Sequence, residues 1–189
     1  MKSAIGYSKH SLSLAVFCAT LMLFPGISAH AESLTPALQE KVEKYKQRLT
    51  EWAQHPKVIN VLKEANLKGA LPGMTNLKWV ETNESDSAIA TIFTSDVSTL
   101  MKGWVAQNKG ISKLYLRDKE ANLVATDNKP VFYNNAHRPP FKIPIKGKPW
   151  ADSEVMLDTT TQINGVHLGV PVVDHGEVIG VMHTSVVAD

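Results

Sequence analysis

Residues 166–187 read VHLGVPVVDHGEVIGVMHTSVV, and this stretch decides the fold. β-Branched runs at 166–173 and 177–187 flank Asp174-His175-Gly176, the pattern of two antiparallel strands joined by a tight turn. A three-residue loop with Gly176 in the left-handed region is the expected connection. That loop sets Val173 against Glu177 and His167 directly across from His183, with Cβ atoms about 5 Å apart. A two-residue loop would instead set His183 against Leu168 and send the two histidines to opposite faces. His175 sits at the hairpin tip, roughly 25 Å along the strand, and joins neither. Two imidazoles do not close a metal site and no third ligand follows, so no metal and no cofactor is expected.

Working outward, the same period of two appears in residues 111–117 (ISKLYLR), which alternate around Leu114 and Leu116. Residues 118–122 make a turn and 123–126 return as a short strand, while 153–160 (SEVMLDTT) form the expected third. Between them, residues 127–152 hold five of the ten prolines, which excludes a regular sheet interior. The reading is a five-stranded antiparallel meander with a long proline-rich crossover between its second and third strands.

Nearer the N-terminus the period is helical. Thr35-Pro36 is an N-cap hydroxyl followed by proline at the first helical position. Leu38, Val42, Tyr45, Leu49 and Trp52 then line one face at spacings of four and three. That stripe suits core packing or a homodimer through the N-terminal helix, and the sequence leaves both open. Pro56 predicts either a kink or a junction of two helices, closed by Gly69. Residues 70–93 show no clear period, with Trp79 as their expected anchor. Thr94 or Ser95 caps a further helix through Val97, Leu100, Met101, Trp104 and Val105, which ends at Lys109-Gly110.

The first thirty residues have a secretory layout: Lys2 and Lys9, an apolar run over 12–27, and small residues Ala29 and Ala31 around His30. Cleavage after Ala31 is expected, leaving one domain over 32–189 in the periplasm. The run is short for a bilayer span. Cys18 follows Phe17, a residue too large for lipoprotein processing. The 20 basic residues of the chain lose Lys2 and Lys9 on cleavage, leaving 18 against 18 acidic ones. A neutral domain excludes nucleic acid as the expected partner. Cys18 is the only cysteine and leaves with the signal, so no thiol chemistry and no disulfide remain. No nucleophile elbow, phosphate loop or zinc helix motif occurs, and an enzyme is not expected.

The strand–turn–strand LYLRDKEANLVA at 114–125 and the closing hairpin VHLGVPVVDHGEVIGVM at 166–182 resemble those of a single Cache domain, the PAS-like extracytoplasmic sensor module. The helical segment WAQHPKVINVLKEAN at 52–66 is similar to the long N-terminal helix of that family. The resemblance implies an α+β, PAS-like fold: a long N-terminal helix and a five-stranded antiparallel sheet. It also implies a small organic ligand held between the sheet and the crossover at 128–150. The turn at 118–122 lacks the glycine commonly found there, and the ligand class does not transfer.

Within that picture the candidate ligand contacts are Tyr115, Tyr133, Arg138, Trp150, Asp158 and His183. Tyr115 has the opposite parity to Leu114 and Leu116 and so faces away from their core. Arg138 suits a carboxylate through a two-pronged pair, and Tyr133 and Trp150 suit the exclusion of water. Asp158 suits a ligand ammonium, and His183 a hydrogen bond or a pH response. With no second membrane-length run, signalling would pass through an inner-membrane receptor or sensor protein. The alternative is a ligand-free protein–protein adaptor in the periplasm.

Overall fold

Thr35 caps the first helix as its sequence predicts: the side-chain oxygen accepts from the Leu38 N–H at 3.2 Å, and Pro36 opens α1, Pro36–Ala53. In this computed structural model residues 34–188 are described, so the expected signal segment and the expected cleavage after Ala31 lie outside the described residues. α1 buries Leu38, Val42, Leu49 and Ala53, one stripe of its surface. Pro56 does not kink a continuous helix. It starts a new one, α2 (Pro56–Lys68), because His55 takes extended geometry and its Nδ1 accepts from the Lys57 N–H. Residues 70–93 contain α3 (Asn76–Glu81) and α4 (Ala90–Thr94), both too short to leave a period in the sequence. Trp79 is fully buried there, donating from Nε1 to the Pro130 carbonyl at 2.7 Å. Ser95 caps α5 (Asp96–Gln107), which stops two residues short of Lys109.

The strands are β1 (Ile111–Asp118), β2 (Leu123–Thr126), β3 (Trp150–Ala151), β4 (Met156–Leu157), β5 (Asn164–Asp174) and β6 (Glu177–Val187). All pair antiparallel in the order β2-β1-β6-β5-β3, with β4 also on β5. The fold is α+β with an antiparallel sheet, as expected, but the strands do not form a meander. The last strand in sequence, β6, lies in the middle between β1 and β5. Its residues 180–186 are all buried, the mark of a strand covered on both faces rather than one. Of the expected third strand over 153–160 only β4 forms, on the outer edge of β5, because 158–161 turn around the Asp158 carboxylate; β3 comes instead from the end of the proline-rich segment.

The hairpin corrects both expected registers. Asp174 pairs with Glu177 across a two-residue turn in which His175 (φ 47) and Gly176 (φ 88) are both left-handed, as a type I′ turn requires. Val173 then faces Val178 but Val172 faces Gly180, so Ile179 is a bulge. The extra residue reverses the parity that the short turn imposed. His183 comes to face Gly169 and His167 faces Ser185, so the two histidines share a face without standing opposite each other.

The helices cover one face of this sheet. Leu114, Leu116, Leu168, Val170 and Met182 join Val42, Leu49 and Leu62 in the main core. Over the other face run residues 127–160, including a short helix α6 (Pro139–Lys142) and a 3-10 turn (Pro144–Lys146). Gly169 makes that close approach possible, since a Cβ there would lie 2.3 Å from the Pro140 carbonyl oxygen. Among the described residues no helix is long and apolar enough to cross a membrane.

Candidate functional site

A cavity of about 300 Å³ lies between the sheet and the crossover. Alternation along β1 puts Lys113, Tyr115 and Arg117 on this side while Leu114 and Leu116 enter the helical core. His167 of β5 and His183 of β6 complete the floor, and the crossover supplies Phe132, Asn135, Arg138, Trp150, Asp152 and Asp158. Exposed Met156 and Leu157 edge the opening.

Five of the six residues picked from sequence therefore line one cavity: Tyr115, Arg138, Trp150, Asp158 and His183. Tyr133 does not. It packs in a separate aromatic cluster with Trp79, and its hydroxyl accepts from the Leu71 N–H at 2.9 Å. Lys113 and Arg117 were missed, although the parity that singled out Tyr115 applies equally to them. Asn135, Asp152 and the site role of His167 carried no such signal, because crossover placement and strand register decide them.

Two buried polar networks meet here. In the first, the Lys113 ammonium donates to Asp158 Oδ2, both groups being nearly inaccessible. His167 stands between two carboxylates, with Nε2 2.8 Å from Asp158 Oδ2 and Nδ1 3.2 Å from Asp152 Oδ2. Burial opposes the charged imidazole, but the hydrogen bonds to Asp152 and Asp158 outweigh it and hold His167 above its ordinary pKa. Burial likewise pushes the Asp158 carboxyl up, and the His167 and Lys113 partners overcome that and hold it far below the usual range. Desolvation lowers the Lys113 ammonium, only partly offset by Asp158.

The second network centres on Arg117, 1% exposed. Its Nη1 donates to the Tyr133 and Ala121 carbonyls at 2.6 and 3.0 Å, its Nη2 to the Phe132 carbonyl at 3.0 Å, and its Nε to His183 Nε2 at 3.0 Å. All four partners are neutral, and desolvation lowers the guanidinium to about 9. A guanidinium N–H only donates, so His183 Nε2 is unprotonated and the ring carries its proton on Nδ1. Burial, then the Arg117 charge, keep that imidazole neutral, well below its ordinary pKa. Tyr115 meets the same ring edge-on at 5.2 Å and donates its hydroxyl to Asn128 Oδ1. Arg138 lies over the Phe132 ring at 5.0 Å.

Among the described residues, three cations (Lys113, Arg117, Arg138) and two carboxylates (Asp152, Asp158) line the cavity, with His167 between the acids. The balance is positive and favours an anionic ligand. No group of three or more metal-ligating side chains is assembled among the described residues.

No family model and no curated protein matches the chain. Solved structures with a similar fold include the sensor domain of the Vibrio cholerae histidine kinase DctB, 17% identical over 76% of this chain and 57% of that one, with a TM-score of 0.42. The sensory domain of the Campylobacter jejuni chemoreceptor Tlp3 is 13% identical over 80% of this chain and 56% of that one, at 0.44. The ligand-binding domain of the Pseudomonas aeruginosa amino acid chemoreceptor PctC, in complex with GABA, is 15% identical over 80% and 60%, at 0.35. This chain spans less than two thirds of the length of each.

Proposed function

We propose that this chain is an exported sensor module of the single Cache type, which binds a small organic ligand in the cavity under residues 128–150 and signals through an inner-membrane protein. The observation that carries the reading is the roofed cavity itself, where buried ions from the sheet meet ions from the crossover. At about 300 Å³ it sits at the small end of ligand pockets, suited to a metabolite rather than a peptide. The proposed contacts are Tyr115, Arg138, Trp150, Asp158 and His183 from the sequence reading, with Lys113, Asn135 and His167 added.

The same strands offer a route outward. β5 and β6 carry His167 and His183 into the cavity on one face, and α1 packs against both strands. A ligand that draws the crossover down onto Gly169 would change the load on those strands and so the seat of α1, biasing whichever state a partner reads. The protein acts by binding, and no catalytic step is assigned.

Thermal-shift screening of amino acids, carboxylates and amines tests the reading. A ligand at 100 times its dissociation constant adds about 2.7 kcal/mol, a rise of roughly 5–10 °C for a domain of this size. Mass spectrometry of small molecules copurifying with the protein gives a second route. A flat screen, together with a crystal in which the crossover lies flush on the sheet, overturns the proposal.

A further inference from the structure

Two of the three cations on the cavity wall have partners inside the protein. Lys113 donates to Asp158, and the buried Arg117 donates to three carbonyls and to His183. Arg138 differs. Its guanidinium lies over the Phe132 ring at 5.0 Å, exposed and without an ion pair among the described residues. A planar fork of donors with no carboxylate opposite it suits an anion that arrives from outside.

The apolar surface beside it is concentrated in the same way. Seven large apolar side chains are exposed among the described residues, and four of them gather here. Val131, Met156 and Leu157, at 37, 49 and 56% exposure, line the cavity. Val131 also lines a second depression of about 260 Å³, together with Val80, which is 63% exposed. The two hollows share Pro130, Val131, Thr159 and Thr160, so one surface continues from the charged chamber out toward Val80. Single apolar residues on a surface need no explanation, whereas a group of them at the lip of a cavity is a binding feature. Met156 and Leu157 form β4, an outer piece on β5, and sheet edges ordinarily carry charges or proline that discourage pairing.

We propose that this cavity takes an amphipathic carboxylate, whose head pairs with Arg138 and whose hydrocarbon chain lies along Val131, Met156 and Leu157 toward Val80. The inference rests on the ligand-binding reading above and narrows it to a chemical class. The unpaired guanidinium and the positive balance of the walls answer the carboxylate. Each methylene laid against the lip leaves water and adds affinity, while a wholly polar ligand would leave those side chains exposed.

Isothermal titration of the purified protein with straight-chain monocarboxylates from acetate to decanoate, each below its micelle-forming concentration, tests this. The head is held constant through the series, because Asp152, held by one donor from His167, can accept another from a different head group. The expected result is one-to-one binding that tightens about threefold per added methylene until the groove is filled. Arg138→Gln should weaken every member by about tenfold and leave the slope in place. The double variant Met156→Ser/Leu157→Ser, changed only at exposed positions, should flatten the slope. Affinity that does not rise with chain length overturns this inference and leaves the receptor reading standing, as does a broader screen in which only ligands without a chain bind. If nothing binds in either experiment, both fall. A folded double variant that keeps the wild-type slope overturns the placing of the tail. A flat series with self-association that the double variant abolishes assigns the lip to a contact between copies of this chain, and overturns the inference too. The wild-type series decides the matter even where a variant does not fold.

Discussion

Arg117→Met removes the donor that holds β1 to the start of the crossover. Methionine keeps the buried apolar stem but makes none of the four hydrogen bonds to Ala121, Phe132, Tyr133 and His183. Each buried acceptor left alone costs about 1–3 kcal/mol. Phe132 and His183 line the cavity, while the Ala121 and Tyr133 carbonyls both bond Nη1. Removing a desolvated guanidinium also ends its own burial cost. We therefore expect a net loss of about 3–5 kcal/mol, the scale for breaking a buried charged network, and a melting temperature lower by roughly 6–20 °C. Arg117→Lys should fall between, because one ammonium has three donors for four separated acceptors. Urea unfolding at neutral pH measures the loss, and an NMR titration of His183 supplies an independent readout. Burial keeps that ring neutral first and the Arg117 charge second, so its pKa should rise in the methionine variant. A loss below about 1 kcal/mol, or an unmoved His183, would refute the argument.

Three further outcomes follow from the same geometry. Gly169→Ala places a Cβ 2.3 Å from the Pro140 carbonyl oxygen and 2.9 Å from Pro144 Cγ. It should lift the roof, cost about 1–3 kcal/mol and speed tryptic cleavage at Lys142 and Lys146; a cleavage pattern like wild type would contradict it. Asp127 is pushed up to about 6 by burial, above its unfolded value of 3.8, so its contribution is present at low pH and lost as pH rises through that window. Asp127→Asn retains an acceptor for the Leu114 N–H and should stabilise by about 1–2 kcal/mol at pH 7.5, with no gain at pH 4. The two cavity histidines oppose each other. His167 has a raised folded pKa, so its contribution is complete below about 6.5 and fades as pH rises through the folded value, whereas the depressed His183 contributes above about 6.5 and fades as pH falls. Urea midpoints of His167→Asn from pH 5 to 9 should show a flatter alkaline side than wild type; an unchanged slope would exclude the Asp152–His167–Asp158 clasp as its source.

These perturbations converge on the interface between sheet and crossover because its polar groups are paired across layers. Lys113 reaches from β1 to Asp158, His167 from β5 to Asp152 and Asp158, and Arg117 from β1 to the carbonyls of 132 and 133. Low dielectric strengthens each pair when complete and penalises each orphan when one partner is lost. The crossover is therefore seated chiefly by these ties and by Phe141 in its small cluster with Val181 and Ala121.

Local chemistry was legible in the chain. Thr35 and Ser95 as caps, the break at Pro56, the burial of Trp79 and the facing of Tyr115 away from Leu114 and Leu116 all depend on residues a few positions apart. So did the assignment of the proline-rich segment to a crossover, since proline cannot donate to a ladder. What tertiary structure alone decided was every relation across strands. The order that puts β6 at the centre is a matter of two-sided burial, which a β-branched run shows only weakly. The placement of His167 relative to His183 turned on one bulged residue, Ile179, because side chains alternate with a period of two and a single insertion exchanges faces. The engagement of Asp158 by Lys113, 45 positions away, followed from that order and from the path of the crossover, and no local pattern encodes it.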